Sequence, residues 1–106
     1  MTFDISKISI PKEPGIYLMK DSKEEIIYIG KAKNLKNRVR SYFLKNQNYK
    51  TQKLVSKIAD IEFVLTDNES EAFLLESNMI KRYRPTYNIE LKDQQRYTYL
   101  QSLIHI

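Results

Sequence analysis

One carboxylate, Glu76, falls where its charge is costly and where a metal ion would explain it. A helix predicted from 67–70 to Tyr83 projects its apolar residues to one broad face at about 100° per residue. These residues are Ala72, Phe73, Leu75, Met79, Ile80 and Tyr83. Glu76 projects into the middle of that face, where an unpartnered carboxylate is unfavourable. Its partner is either a Lys or Arg side chain or a hard cation such as Mg²⁺ or Mn²⁺, and the residues leave both alternatives open.

Two tyrosines on a predicted β-hairpin form the second candidate group. Residues 15–20 and 25–30 read as strands around a turn at 22–23. This register places Tyr17 directly opposite Tyr28 on one face of the sheet. The opposite face would be filled by Ile16, Leu18, Ile27 and Ile29. Cross-strand aromatic pairs stabilise sheets by themselves, so pairing alone favours a structural role for the two tyrosines.

Basic residues are concentrated in one part of the chain. The chain has 18 Lys and Arg against 13 Asp and Glu, a net charge of +5, yet no acidic residue occurs between Ile26 and Ala59. The basic residues of that window are Lys31, Lys33, Lys36, Arg38, Arg40, Lys45, Lys50, Lys53 and Lys57. Interleaved aromatic residues, Tyr42, Phe43 and Tyr49, could stack on unpaired bases. The pattern predicts a surface that faces nucleic acid, with a solvated helix face as the alternative.

Composition excludes several other chemistries. The chain has no Cys and a single His, His105, so disulfides, thiolate catalysis, His-based zinc sites and Ser-His-Asp triads are excluded. Its longest apolar runs of three to five residues are far short of the roughly 20 that span a membrane. Residues 1–15 lack the apolar segment of a signal peptide. We therefore expect one cytoplasmic domain without membrane association.

The remaining elements place further polar residues near the hairpin. A helix over 34–45 is predicted, with Asn34 as its N-cap and Leu35, Val39 and Phe43 as its apolar stripe. Arg38 and Tyr42 form an i, i+4 pair at the edge of that stripe, where both can still reach solvent. A second helix over about 50–60, with Leu54, Val55 and Ile58 inward, and a strand over 61–66 complete the pattern before the last helix.

The hairpin residues resemble the signature of the GIY-YIG nuclease family. Gly15-Ile16-Tyr17 is followed after ten residues by Tyr28-Ile29-Gly30, and the segments 31–43, 71–81 and 84–89 resemble later family segments in the same order. The resemblance covers about 12–93 and points to the UvrC branch. It implies an α+β fold, with a small mixed, mainly antiparallel sheet of three to four strands and flanking helices.

The resemblance also implies the site residues. Catalytic positions are Tyr17, Tyr28, Lys31, Arg38, Tyr42 and Asn88, and Glu76 is the sole protein ligand of one divalent metal ion, Mg or Mn. Tyr28 is the candidate general base, with its pKa lowered by Lys31, Arg38 and the metal. Tyr17 would orient the water or phosphate, Arg38 would hold a phosphate oxygen, and the metal at Glu76 would stabilise the leaving oxygen. The expected DNA contacts are Lys31, Lys33, Lys36, Arg38, Arg40, Lys45, Lys50 and Lys53.

The implied activity is metal-dependent hydrolysis of a DNA phosphodiester, the 3′ incision of nucleotide excision repair. UvrB, and UvrA indirectly, are the implied partners in the full-length protein. Double-stranded DNA would be bound with low sequence specificity by a monomeric domain. Two alternatives stay open: a stand-alone nuclease of recombination or restriction, and a catalytically silent DNA- or protein-binding remnant. The expected division is a lead-in over 1–14, a nuclease domain over 15–93, and an edge strand or truncated tail over 94–106.

Overall fold

The fold is a three-stranded sheet with helices on both faces. The computed structural model describes residues 3–44 and 47–89. The strands lie in the order β2-β1-β3, and both neighbouring pairs are antiparallel. The strands are β1 (Gly15–Lys20), β2 (Ile26–Ala32) and β3 (Asp60–Leu65), and the α-helices are α1 (Leu35–Ser41), α2 (Tyr49–Lys57) and α3 (Glu69–Tyr83). The predicted α+β class is confirmed, with antiparallel pairing throughout the described ranges. The edge strand expected over 94–106 lies outside the described residues.

Each helix begins at an asparagine that caps it. The side-chain oxygens of Asn34, Asn48 and Asn68 accept hydrogen bonds of 3.1, 2.8 and 2.8 Å from the backbone N–H three residues further on. The predicted cap at Asn34 is confirmed, but α1 ends at Ser41, four residues earlier than expected. The chain tightens there, because the N–H of Tyr42 bonds to the carbonyl of Val39 at 3.1 Å.

The β-hairpin has a different register from the predicted one. Tyr17 pairs with Gly30 and Met19 with Tyr28, so the pairing of Tyr17 with Tyr28 was wrong by two residues. Tyr17 and Tyr28 nevertheless share a face, because a shift of two keeps every side chain on its side of the sheet. They are therefore diagonal neighbours, with ring centroids 6.2 Å apart.

A longer turn and a bulge cause the register shift. Asp21 accepts hydrogen bonds at its Oδ1 atom from the N–H groups of Lys23 and Glu25, at 2.9 and 3.0 Å. Glu24 takes a left-handed conformation with φ of 64°. These contacts make a wider loop than a two-residue turn at 22–23. The register shifts again between Met19 and Lys20, as in a β-bulge, which adds one more residue to β2.

Two apolar cores lie on opposite faces of the sheet. The first core, under α1 and α2, contains Tyr17, Met19, Ile27, Tyr28, Ala32, Leu35, Val39, Tyr42, Leu54, Ile58, Ile61 and Tyr87. The second core, under α3, contains Ile16, Leu18, Ile29 and Ala72. Ile27 was expected beside Ile29, but the bulge turns it to the first core. Phe3 and Ile10 of the lead-in also pack on the first core.

The buried face of α3 is narrower than the sequence pattern predicted. Ala72, Leu75, Met79 and Ile80 pack on the second core. Phe73 and Tyr83, which were expected on that face, are 53% and 47% exposed. The three described strands are too few to cover the whole apolar face predicted for a helix of about four turns, so part of that face stays exposed. Among the described residues, no helix is long and apolar enough to cross a membrane.

Candidate active site

Three buried tyrosines meet on the first-core face of the sheet. Tyr17 comes from β1, Tyr28 from β2, and Tyr42 from the residue that ends α1. Their ring centroids lie 5.7 to 6.2 Å apart. The hydroxyls of Tyr17 and Tyr42 share a hydrogen bond of 2.7 Å. Tyr42 was expected at the solvent edge, but it is buried because this bond and the two ring contacts hold it against the hairpin.

The tyrosine cluster depends on a glycine in β2. The ring of Tyr17 lies across Gly30, its partner in the β1–β2 register. A Cβ atom on Gly30 would lie 2.7 Å from Cε2 of Tyr17, and closer still to Cζ and the hydroxyl oxygen. Carbon atoms in contact lie about 3.5–4.0 Å apart, so no side chain fits at this position unless the tyrosine moves. The absence of a side chain at Gly30 therefore fixes where the Tyr17 hydroxyl can sit.

Burial makes the two signature tyrosines harder to ionise, not easier. Burial, and then the neighbouring Tyr42 hydroxyl, raise the pKa of Tyr17 well above 10. The same two causes raise the pKa of Tyr28, and Arg38 opposes them only in part. Arg38 lowers the pKa of Tyr28 as expected, but burial and Tyr42 outweigh it in the protein without bound metal or substrate. Both hydroxyls are neutral near pH 7, where they can donate and accept hydrogen bonds.

Arg38 is a cation in direct contact with this cluster. It lies on α1, with its guanidinium carbon 5.2 Å from the centre of the Tyr42 ring. The side chain remains exposed, so its N–H groups can reach a ligand in solvent. The predicted pairing of Arg38 with Tyr42 is thus present. This contact with the Tyr42 ring holds the Arg38 guanidinium beside the tyrosines.

Glu76 lies on α3, on the other side of the sheet, and is half-buried as predicted. Its carboxylate raises the pKa of Tyr28, which places the two groups within electrostatic reach. Tyr28 belongs to the first core, whereas α3 packs on the second core. The candidate site therefore involves both faces of the sheet at β2.

Lys31 is not gathered with the tyrosines. It follows Gly30 in β2, so its side chain points to the α3 face. Its Nζ atom lies 3.5 Å from Oε2 of Glu69, at the first residue of α3. Glu69 is not among the predicted site residues, and nothing local to it in the sequence indicates a partner in β2. Among the expected catalytic positions, Lys31 is thus the one already held by an acidic side chain.

Asn88 holds the open edge of β2. Its Oδ1 atom accepts from the N–H of Ile29 at 2.7 Å, and its Nδ2 atom donates to the carbonyl of Ile29 at 2.8 Å. The side chain is 3% exposed and lies in a helical turn over 86–89 that follows the buried Pro85. The amide thus takes the place that another strand would occupy at Ile29. This contact lies between Tyr28 and Gly30.

The donor set suits a magnesium ion held by one carboxylate. Within residues 3–44 and 47–89, no three His, Cys, Asp or Glu side chains cluster as a metal cage. Mg²⁺ commonly keeps several waters and binds through one or two carboxylates together with substrate phosphates. Glu76, a half-buried carboxylate within electrostatic reach of Tyr28, fits that pattern.

The expected DNA contacts that the structure describes lie on β2, α1 and α2 and on the connection from β2 to α1. Lys33, Arg38, Arg40 and Lys53 are exposed, and Lys31, Lys36 and Lys50 are half-buried. Lys45 lies outside the described residues. The acidic residues after position 59 belong mainly to β3 and α3. The basic and acidic parts of the sequence therefore lie mainly on different strands and helices of the fold.

Comparison with known proteins places this geometry in a family. The family model for the UvrC-like GIY-YIG domain matches residues 13–89. The chain is 52% identical over 98 residues to the UvrABC system protein C of Clostridium tetani, which covers 91% of the chain and 16% of the relative. It is 56% identical over 91 residues to that of Desulfitobacterium hafniense, covering 86% of the chain and 15% of the relative. The chain thus spans about one sixth of these relatives.

A solved structure shares the fold. The crystal structure of the GIY-YIG N-terminal endonuclease domain of UvrC from Thermotoga maritima, bound to its catalytic magnesium, is 47% identical to the chain, with a TM-score of 0.69. The match covers 74% of this chain and 86% of that one. Point mutants of that domain, three with tyrosine changed to phenylalanine and one with asparagine changed to alanine, also hold the catalytic cation.

Proposed function

The chain belongs to the UvrC-like GIY-YIG domain family, and from that premise we propose that it is a DNA endonuclease domain that depends on a divalent metal ion, Mg²⁺ or Mn²⁺. The observation that carries the proposal is the site at β2, where the half-buried carboxylate of Glu76 lies within electrostatic reach of Tyr28, one of three clustered tyrosines. A single carboxylate is enough for a Mg²⁺ ion that shares substrate phosphate oxygens. The related Thermotoga domain, named as an endonuclease, holds magnesium.

Glu76 would hold the metal in this site. When bound, the ion supplies positive charge that favours ionisation of nearby water and hydroxyl groups and stabilises charge on the phosphate and leaving oxygen.

Tyr28 orients the attacking water, with its hydroxyl as the acceptor of a hydrogen bond. Because its pKa is raised in the protein alone, Tyr28 becomes a general base only once further positive charge enters the site. Tyr17 lies deeper, 1% exposed, and its hydroxyl is already bonded to Tyr42. Tyr17 and Tyr42 therefore act as one hydrogen-bonded unit, and both of their rings contact the ring of Tyr28 and hold it in place.

Arg38 binds a phosphate oxygen of the scissile group. Its guanidinium rests on the Tyr42 ring, which limits the freedom of a long side chain, while the residue stays exposed to solvent. A planar guanidinium can form two parallel hydrogen bonds to a phosphate, and these strengthen as charge develops there.

Asn88 is a positioning residue in this proposal. Its two hydrogen bonds to Ile29 set the path of β2 between Tyr28 and Gly30, the residues that shape the tyrosine cluster. The Oδ1 and Nδ2 atoms of Asn88 both form hydrogen bonds with the backbone of Ile29. The burial of this side chain is therefore explained without a contact to substrate. Lys31 would contact DNA only after it leaves Glu69.

The biological reaction we propose is the 3′ incision of nucleotide excision repair. The matched relatives carry the name UvrABC system protein C, which supports repair over a stand-alone role in recombination or restriction. UvrB, and UvrA indirectly, would then be partners of the longer protein in the cytoplasm. Double-stranded DNA would bind through the basic residues of β2, α1 and α2 with little sequence preference, because phosphate contacts do not read bases. The isolated domain would be monomeric.

Plasmid nicking tests the proposal. Supercoiled plasmid is incubated at low salt with the chain and Mg²⁺ or Mn²⁺, with an EDTA control. Glu76→Gln is compared with Glu71→Gln, which removes an exposed carboxylate from the same helix and changes the net charge equally. Metal-dependent nicking that survives in Glu71→Gln and disappears in Glu76→Gln is the expected result. Equal nicking by both variants would remove Glu76 as ligand, and absence of nicking by the folded chain would favour the silent DNA-binding alternative.

A further inference from the structure

Tyr49 presents an aromatic ring to solvent beside the basic part of the chain. It is the first residue of α2. Its side chain is 78% exposed, more than any other large apolar side chain in the described ranges. The inward side of α2 is supplied by Thr51 and Leu54, so the ring of Tyr49 is not needed to pack the helix. A single exposed aromatic residue is ordinary on a protein surface, and its surroundings decide what it can do.

The surroundings of Tyr49 are those of a nucleic-acid surface. Lys50 adjoins it and Lys53 lies one turn further along α2. No acidic residue occurs between Ile26 and Ala59, so α1, α2 and their connection contribute only positive charge. Cations beside an exposed ring can bind a DNA strand in two ways. The cations bind its phosphates, and its bases stack on the ring.

Hydrogen bonds tie the start of α2 to the end of α1. The Gln47 side chain donates to the carbonyl of Ser41 at 2.8 Å, and the Gln52 side chain donates to the carbonyl of Gln47 at 2.7 Å. Tyr49 follows Gln47 by two residues, so it lies within roughly 15 Å of Ser41 by chain geometry. Ser41 adjoins Tyr42 of the candidate site. With about 3.4 Å of rise per nucleotide, that separation corresponds to some four nucleotides of one strand.

We propose that Tyr49 is a stacking contact for an unpaired DNA base, a few nucleotides from the phosphate held at the candidate site. The inference rests on the DNA-binding part of the proposed function and goes beyond it by naming a base contact outside the site. Bases inside an intact duplex are already stacked on their neighbours, so the ring gains a contact only where pairing is lost. Tyr49 therefore makes this surface favour DNA with a locally unpaired segment.

The test compares binding to two DNA duplexes of equal length and charge, one fully paired and one with a short unpaired bubble. Fluorescence anisotropy at low salt, without divalent metal, measures affinity and prevents cleavage. Tyr49→Ala should lose about tenfold affinity for the bubble, in line with the loss of one base–aromatic stack, and less than twofold for the paired duplex. Tyr49→Phe should retain the bubble affinity, because the aromatic face is kept. Leu44→Ala, which removes another exposed apolar side chain (64% exposed), serves as the matched control.

A fluorescent adenine analogue at the unpaired position gives a second measurement. Its emission should fall when the chain or Tyr49→Phe binds, and should change less with Tyr49→Ala. Equal losses on both duplexes, no loss in Tyr49→Ala, or no preference of the original chain for the bubble would each overturn the proposal. Plasmid nicking is read separately: a chain that binds the bubble through Tyr49 but does not nick overturns the nuclease function alone. A chain that nicks but binds both duplexes equally overturns the role of Tyr49 alone.

Discussion

Adding one methyl group at Gly30 should disable the site while leaving the chain folded. In Gly30→Ala, the new Cβ atom would lie 2.7 Å from Cε2 of Tyr17 and nearer to its Cζ and hydroxyl oxygen. Contact distances of about 3.5 Å require the ring to move by roughly 1 Å or more. The ring is 1% exposed and is bounded by Tyr28 and Tyr42, so this movement must break the bond to Tyr42 or displace β2.

The cost of this substitution has two parts. Overpacking of a filled core costs about 1–3 kcal/mol. Loss of the buried bond between Tyr17 and Tyr42 costs about 1 kcal/mol more. A total of about 2–4 kcal/mol is below the 5–15 kcal/mol stability of an ordinary domain, so Gly30→Ala should fold with a Tm lower by about 10 °C or more. A displacement of about 1 Å in a positioned group should reduce the nicking rate by about 10²-fold.

A double-mutant cycle isolates the contact with the ring. Tyr17→Leu removes Cε2, Cζ and the hydroxyl while keeping apolar volume in the core. In that background Gly30→Ala should be neutral or slightly stabilising, because no ring remains to clash and alanine is better than glycine in a strand. Urea unfolding followed by circular dichroism measures the four free energies, and plasmid nicking measures the rate of Gly30→Ala. Additive losses in the cycle, or a Gly30→Ala chain that nicks at the full rate, would refute the reasoning.

Four further outcomes are expected from the geometry. Asn88→Ala should speed amide hydrogen exchange at Ile29 and lower the free energy of unfolding by about 2 kcal/mol, and unchanged protection there would contradict its positioning role. Arg38→Lys should reduce cleavage far more than DNA affinity, because the charge stays while the planar fork is lost; equal losses by nicking and anisotropy would count against it. Glu76→Ala should lose metal-dependent nicking with an unchanged or higher Tm, whereas a large fall in Tm would indicate a structural ion pair. Burial raises the pKa of Tyr17 well above 10, so the unfolded chain loses this proton first as the pH rises. The folded state should therefore lose stability upward from about pH 10, by up to about 1.4 kcal/mol per pH unit, and urea unfolding of Tyr17→Phe should show a weaker dependence.

The predicted elements that matched the structure depend on residues close together in the chain. The predicted cap at Asn34 acts over three residues, and the caps at Asn48 and Asn68, which were not predicted, act over the same short range. Strand β1 and helix α3 follow from apolar spacing over two to four residues. The basic window and the absence of cysteine are likewise visible in composition. The candidate site residues came instead from the resemblance carried by the segments 15–17 and 28–30 and by the segments that follow them.

The hairpin shows where local signals were insufficient. Asp21 accepts two backbone N–H groups and Glu24 takes a left-handed conformation, and together with the bulge these move β2 by two residues. A turn centred on 22–23 was an equally good interpretation of the same letters. The wider turn and the bulge distinguish the two registers, and neither was indicated by the apolar spacing of the hairpin.

The chemical character of the site was decided by contacts between distant segments. Tyr17 and Tyr42 are 25 residues apart, and Asn88 and Ile29 are 59 apart, yet each pair forms a buried hydrogen bond of 2.7 Å. Burial by these contacts raises the tyrosine pKa values, against the expectation drawn from neighbouring cations. The sequence by itself determined which polar residues are present and which strands and helices carry them. Only the tertiary structure decided which of them are desolvated and which face of β2 each occupies, because burial and facing depend on residues far away in the chain.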